Sequence, residues 1–200
     1  MDTLRIVIAG VGGQGTLLAS KLLAQSAIDS GLSVKIGETY GMAQRGGPVM
    51  GHLQIGGEAE SPQIRPCDAD VLLGFEIGEA VRRGVSYLKR GGLALVNTKK
   101  LPPVEVISGM MEYPGEETLI SLLKEITPNL VAFNATSIAE EAGDAIATNM
   151  VMLGALSAGK KLPFKERKII KTIKKQVRPS YLDTNLKAFK MGRDVYMTAP

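Results

Sequence analysis

An apolar run, Leu4-Arg5-Ile6-Val7-Ile8-Ala9, leads straight into Gly10-Val11-Gly12-Gly13-Gln14-Gly15, and a segment of helical character follows. A strand, a glycine turn and a helix in this order fix the edge of the domain at which a ligand would sit. Glycines let the backbone pass close to a phosphate, and the unpaired N–H groups of the helix's first turn point at it with the favourable end of the helix dipole. Gly12, Gly13, Gln14, Gly15 and Thr16 are therefore candidate binding residues. The pattern G-x-G-x-x-G serves dinucleotides, other phosphates and other cofactors alike, so it leaves the ligand unnamed.

Strands and helices alternate beyond this point, which predicts an α/β fold. Residues 16–30 carry a broad apolar face and Gly31 is placed to end the helix; strands follow at 33–36 and 49–55, separated by the loop Gly41-Met42-Ala43-Gln44-Arg45-Gly46-Gly47-Pro48. A buried strand at 70–75 leads to a helix at 77–89. Gly91-Gly92 precedes a strand at 93–97, and a short extended stretch is expected at 104–107. A helix at 116–127 and a strand at 130–134 repeat the pattern. From Thr136 onward the chain reads as mainly helical, at 136–142, 147–158, 164–177 and 182–195, with Pro163 and Pro179 at boundaries. No repeat or linker divides the chain, and one domain over residues 1–200 is expected.

The rarest residue types exclude most self-contained chemistry. One cysteine, Cys67, cannot make an internal disulfide, an iron–sulfur cluster or a cysteine zinc site, and one histidine, His52, rules out most histidine metal and triad arrangements. No metal site is expected. No apolar run approaches the roughly 18 residues of a membrane span, and the N-terminal stretch lacks the basic flank of a signal peptide, so a cytoplasmic protein without a membrane partner is expected.

A net charge of +4 conceals an asymmetry. Residues 160–178 hold nine cationic side chains against Glu166 alone, a local charge of +8 that leaves −4 for the remainder. Ile169, Ile170, Ile173 and Val177 recur there at helical spacing, giving one core-facing stripe and a lysine-rich outer face. That face is either a solvated surface or a dock for an acidic partner or a ligand's phosphates. Nucleic acid is not expected, because the chain has no Trp, only four Phe and five Tyr, and no basic-aromatic pattern for stacking bases.

Four segments together, GVGGQGTLLASKLLA at 10–24, ETYGMAQRGGPVMGHLQIG at 38–56, DADVLLGFE at 68–76 and ATNMVMLGAL at 147–156, resemble the gamma-type component of the 2-oxoacid:ferredoxin oxidoreductases. The likeness is strongest to the small subunits of indolepyruvate enzymes and runs through nearly the whole chain. It implies a three-layer β/β/α domain of swivelling type on a mixed sheet, of the pyruvate-ferredoxin oxidoreductase domain III kind, with a helical C-terminal part. It further implies that thiamine diphosphate and the iron–sulfur clusters lie on a large partner subunit, that coenzyme A is the cosubstrate, and that ferredoxin is met through the complex. Gln44, Arg45, Gly46, Gly47 and His52 join the binding candidates on this resemblance, and no catalytic residue is assigned. An Arg that many relatives carry at the position of Gln54 is absent, which removes one anion contact.

Each candidate also has a plainer role. Arg45 sits among glycines and polar residues, where its planar donors suit a phosphate or carboxylate, or simply solvent. His52 is either a structural hydrogen-bonder or part of the site. Glu38 and Glu76 end apolar strands, where open sheets place ligands, yet either can cap a helix. Cys67 is expected to be a buried or half-buried thiol, and Asn149 a helix cap or buried hydrogen-bonder. Two rival readings remain. Glu38 stands 23 residues beyond the last glycine, close to the ribose-binding acid of an NAD(P)-dependent Rossmann-type oxidoreductase. Alternatively the glycine turn is only structural and the chain is a non-catalytic assembly subunit.

Overall fold

The computed structural model describes residues 2–40, 46–57 and 61–198. Its first half runs β1 (Leu4–Val11), α1 (Thr16–Ile28), β2 (Val34–Tyr40), β3 (Pro48–Ile55), β4 (Ala69–Gly74) and α2 (Ile77–Tyr87). Then come β5 (Leu88–Asn97), the single turn α3 (Val104–Ile107), α4 (Glu116–Ile126) and β6 (Leu130–Phe133). α5 (Ala135–Ala142), a 3₁₀ turn (Ala145–Ala147), α6 (Thr148–Ala158), α7 (Glu166–Gln176) and α8 (Pro179–Thr198) follow.

The described strands form one sheet in the order β2-β3-β1-β4-β5-β6. β1, β4, β5 and β6 run parallel, while β3 lies antiparallel between β1 and β2. β1 is central and reads as a continuous apolar run because both of its faces are covered. Ile6 and Ile8 join Leu53, Leu73 and Leu95 under α1, α6, α7 and α8. Val7 and Ala9 turn the other way and pack with Leu72, Ala94 and Val96 beneath α2 and α4. Each such Leu or Ile contributes about 1.5–3 kcal/mol when fully buried. The mixed-sheet α/β domain and the helical C-terminal part are as expected. All described strands share one sheet, with helices on both of its faces.

Helix α6 shows why the C-terminal part is bound so closely to the sheet. Nine of its eleven residues are buried, Thr148 to Leu156, which is the behaviour of a helix apolar all round. It crosses α8 where Gly154 and Gly192 remove the side chains that would hold the two backbones apart: a Cβ on Gly154 would lie 1.9 Å from the Phe189 carbonyl oxygen, and one on Gly192 2.0 Å from that of Val151. By contrast α7 buries only Ile169, Thr172 and Ile173 and turns its lysines outward. Among the described residues no helix is long and apolar enough to cross a membrane.

Several boundaries differ from the sequence pattern for local reasons. Residues 104–107 form a helical turn and not an extended stretch, because the Pro103 carbonyl accepts from the N–H groups of Val106 and Ile107 at 3.0 and 3.1 Å. Pro102-Pro103 sets the fixed φ that a first helical turn accepts, and this outweighs the β preference of the valines. Gly91-Gly92 does not precede β5 but lies within it. The register there jumps from Ala69↔Leu88 to Val71↔Leu93, so residues 89–92 bulge out. α8 begins earlier than expected, with Pro179 as its first residue, where the missing N–H costs nothing.

Topology removes the Rossmann-type reading. A dinucleotide-binding sheet lays its second strand parallel and adjacent to the first, so that the acid at its end reaches the ribose. Here Glu38 pairs with Gly51, and Gly51 pairs with Ile8. The acid is therefore two strands, about 9–10 Å, to the side of β1 and level with Ile8, short of the turn that follows Val11.

Candidate functional site

The four parallel strands all end on the edge where the glycine turn lies, and a hydrogen-bond chain ties those ends together. Gln14 Oε1 accepts from the Val11 N–H at 2.7 Å, and Gln14 Nε2 donates to the Phe75 carbonyl at 2.8 Å. Asn97, wholly buried at the end of β5, donates from Nδ2 to the same carbonyl at 3.0 Å and to Thr136 Oγ1 at 3.1 Å. Its Oδ1 accepts from the Ala135 and Lys99 N–H groups at 2.9 and 3.3 Å. Both ends of its amide are thus fully used, which makes Asn97 the hinge-pin of the edge. The sequence reading passed over Asn97 and Thr136. An Asn closing an apolar strand at the same edge as the glycine turn was the available signal.

Over this frame lies a cleft of about 220 Å³, lined by Gly13, Gln14, Lys99, Leu101, Thr136, Ala145, Ile146 and Thr148. Gly13 is exposed, has φ +104°, and a Cβ built on it would meet nothing within 4 Å. Its conformation demands glycine while the space beside it is open. Gly15 caps α1 in the left-handed region with φ 76°, and no side chain caps that helix, so the first-turn N–H groups of α1 keep their anion-binding capacity. Lys99 supplies a cation at the same rim that the sequence reading did not single out.

The second glycine segment reaches this edge too. Gly12 N–H donates to the Gly47 carbonyl at 2.9 Å and Gly46 N–H to that of Gly12 at 3.4 Å, continuing the β1–β3 ladder beyond Val11↔Pro48. Gly12, Gly46 and Gly47 are thereby brought together. Gln44 and Arg45 lie outside the described residues.

His52 is placed elsewhere. It pairs with Val7, four residues or about 13 Å of strand before Val11, and is buried on the α2 side of the sheet. Its Nδ1 accepts from the Ile64 N–H at 3.3 Å, and its ring meets Tyr87 edge-on at 5.2 Å. Burial, and to a smaller extent the Arg83 charge, push its pKa below the ordinary histidine value. Gln54, two residues on, is likewise structural: its Nε2 donates to the Ser61 carbonyl at 2.7 Å.

Glu76 proves to be a cap. Its Oε2 accepts from the Glu79 N–H at 2.8 Å at the start of α2, and its Oε1 from the Leu101 N–H at 3.3 Å and from the Tyr113 hydroxyl. Burial, then this hydrogen bond and the Glu76 charge, hold that hydroxyl firmly protonated. Glu79 is buried beside Arg82 and Arg83, with N–O distances of 3.5 and 3.6 Å; burial raises its pKa and the two arginines partly offset this. Cys67 is exposed, not buried, and adopts φ 55° in a turn held by its N–H on the Ser86 carbonyl at 3.1 Å. Asn149 is 3% exposed and its Oδ1 has no hydrogen-bond partner.

Among the described residues no group of three or more His, Cys, Asp or Glu side chains is placed to hold a metal ion. The cleft offers backbone N–H groups, hydroxyls and a lysine. Such a surface suits an anionic or polar ligand, and among its described lining residues no nucleophile stands beside a base.

Comparison with known proteins places this architecture. The family model described as pyruvate ferredoxin/flavodoxin oxidoreductase matches residues 5–195. The chain is 40% identical over 189 residues to indolepyruvate oxidoreductase subunit IorB of Archaeoglobus fulgidus, covering 94% of this chain and 93% of the other. It is 39% identical over 193 residues to the subunit of the same name from Thermococcus kodakarensis, covering 96% and 95%. The crystal structure of pyruvate oxidoreductase subunit PORC from Thermotoga maritima superposes with a TM-score of 0.72 at 27% identity, covering 97% of each chain.

Proposed function

The chain belongs to the pyruvate ferredoxin/flavodoxin oxidoreductase family as a gamma-type component of an oxidoreductase complex, and from that premise we propose its part in the reaction. It acts as a single domain over residues 1–200 in a cytoplasmic enzyme that converts indolepyruvate, or another aryl 2-oxoacid, with coenzyme A and oxidised ferredoxin to acyl-coenzyme A, carbon dioxide and reduced ferredoxin. Thiamine diphosphate on a large partner subunit supplies the decarboxylation chemistry, and iron–sulfur clusters there pass the electrons on. This chain has one cysteine and no ligand set for a cluster. Its own work is to close the partner's cleft, hold the phosphates or carboxylate of a substrate, and exclude water.

The observation that carries this reading is the edge itself: a rigid Gln14–Phe75–Asn97–Thr136 frame under an open cleft with Gly13 and Lys99 at its rim and no acid–base pair of its own. Such a site binds but does not complete a reaction, so a second chain is required. Gly12, Gly13, Gln14, Gly15 and Thr16 form one side of the binding surface, Gly46 and Gly47 adjoin Gly12, and Gln44 and Arg45 are assigned to binding on the resemblance of their sequence segment. The test is reconstitution. The purified chain should reduce no ferredoxin with any oxoacid, and activity should appear on adding the large subunit; comparable rates from the chain alone would refute the division of labour. In the complex, Arg45→Ala should raise the apparent KM for coenzyme A or the oxoacid by roughly 10- to 150-fold, with little recovery in Arg45→Lys. Unchanged KM values with normal assembly would remove Arg45 from the site.

A further inference from the structure

Connections between elements are typically about 4–6 residues long, yet the one from β5 to α4 runs over residues 98–115 and contains only the single turn α3. Both ends of its central part are pinned to one carboxylate. Glu76, buried at the start of α2, accepts at Oε1 from the Leu101 N–H at 3.3 Å and from the Tyr113 hydroxyl. Tyr113 packs against the apolar layer beneath α2 and α4, and Lys100 Nζ lies 5.9 Å from the centre of its ring. Gly78 leaves room for it, since an added Cβ there would come within 2.5 Å of the hydroxyl oxygen. Residues 101–113 are thus an Ω-type loop with a fixed base.

This loop displays what a core normally hides. Ile107, Met110 and Met111 are 76%, 78% and 63% exposed, and Leu101 at the base is exposed as well. Elsewhere among the described residues, exposed large apolar side chains come singly along the chain. Single ones are ordinary, whereas a cluster inside a polar rim marks a contact surface.

Two observations decide what covers it. The first is charge: Lys99 is exposed on one flank of the loop and Glu112, Glu116 and Glu117 on the other. An anionic lipid surface would repel the three glutamates, while an apolar centre within a rim of both signs is the anatomy of a protein–protein contact. The second is continuity. Leu101 and Lys99 also line the cleft, together with the exposed Ile146 and with Gly13, so a chain seated on the loop overhangs the cleft. A second copy of this chain would bring to it the same set of residues, in which no nucleophile stands beside a base; the partner that a binding cleft needs is one that brings the reactive groups.

We propose that the loop at 101–113 docks this chain on the large subunit through Leu101, Ile107, Met110 and Met111, and so holds the cleft against it. The identity of the partner rests on the function proposed above; the pinned loop and its exposed apolar side chains do not. Methionine, unbranched and polarizable, suits such a surface because it adapts to the shape it meets.

The test combines Ile107→Ser, Met110→Ser and Met111→Ser in one variant, with Ile28→Ser at the far end of α1 as the control for losing an exposed apolar side chain elsewhere. The unfolding midpoint of the isolated variant should match wild type, since the side chains removed are exposed. Interferometry against the large subunit, purified with its thiamine diphosphate and clusters, should find Kd raised at least about 100-fold in the triple variant and unchanged in the control. Should the triple variant not fold, Met110→Ser alone decides, with a loss of about tenfold. Wild-type affinity in the variant, or no binding of the wild-type chain to the large subunit, overturns the proposal. A dimer of the isolated chain that the variant abolishes in sedimentation overturns it in favour of a second copy, and flotation with phosphatidylcholine–phosphatidylserine vesicles that the variant abolishes overturns it in favour of a membrane. If the variant assembles normally in a complex that oxidises aryl oxoacids, the docking falls and the function stands. If assembly depends on the loop but the wild-type complex oxidises no oxoacid, the docking stands and the function falls.

Discussion

Two regions of this molecule depend on glycine for opposite reasons. Where α6 crosses α8, Gly154 and Gly192 are required because a neighbouring backbone already occupies the place of a side chain, with carbonyl oxygens 1.9 and 2.0 Å from the missing Cβ positions. At the turn after β1, Gly13 is required by its φ of +104° while the space around it is free. The first is a packing device that fastens the C-terminal helices to the sheet. The second leaves backbone N–H groups accessible at an edge that hydrogen bonds have made rigid. Glycine in the packed crossing thus serves close approach of two backbones, and glycine on the open edge serves a backbone turn that leaves its surroundings free.

The largest expected effect falls on the crossing. Gly154→Ala or Gly192→Ala forces two helices apart at backbone level and should cost about 4 kcal/mol, above the usual range for overpacking because no rotamer relieves the clash. Urea unfolding measures it, and a loss under 1 kcal/mol would mean that the helices slide past each other freely.

Next comes the frame beneath the cleft. Asn97→Ala strands the N–H groups of Ala135 and Lys99 and halves the bonding of the Phe75 carbonyl, so a loss of about 3 kcal/mol is expected, together with faster amide exchange at Ala135 and Lys99. Stability close to wild type would show that the edge is held by strand pairing alone.

Gly13→Ala should cost only about 1–2 kcal/mol, through backbone strain without any clash. The activity of the reconstituted complex should nevertheless fall by more than its stability, since the substituent projects into the cleft. Equal residual activity in Gly13→Ala and wild type would place the turn outside the working surface.

The smallest effect concerns which of the two regions His52 belongs to. Its folded pKa lies below the ordinary 6.5, so between the two values the unfolded chain binds more protons, and stability should decline as pH falls through 6.5 toward the folded pKa. His52→Asn should flatten that decline in stability while leaving the pH dependence of activity in the complex unaltered. A change in the activity profile instead would return His52 to the site.

Much of the fold was legible because it is written in short-range patterns. The run at 4–9, the glycine turn and the helix after it, the stripe Ile169, Ile170, Ile173 and Val177, and the strand at 93–97 all appear where hydrophobic period and turn chemistry put them. Two of the three misreadings share a cause. Cys67 and the bulge at 89–92 depend on partners elsewhere, the Ser86 carbonyl for the first and the register of β4 for the second, whereas the turn at 104–107 is local, its N–H groups bonding to the Pro103 carbonyl against the β preference of its valines. The site divides the same way. Gly13 was visible, since a positive φ needs a glycine that the sequence displays, whereas Asn97 was not, because its importance lies in four partners 2 to 39 residues away.

The sequence by itself determined that this chain alternates strands and helices, turns on glycine just before a helix, and has too few cysteines to hold an iron–sulfur cluster or a cysteine zinc site. Those are properties of composition and of neighbours within a few residues. Only the tertiary structure decided that β3 enters the sheet between β1 and β2, carrying Glu38 away from the turn, bringing Gly46 and Gly47 up to Gly12 and leaving His52 in the packing. Strand order is a competition among alternative pairings of similar local propensity. It is settled by which arrangement buries both faces of β1 and satisfies the backbone at its edges, a balance that no single segment contains.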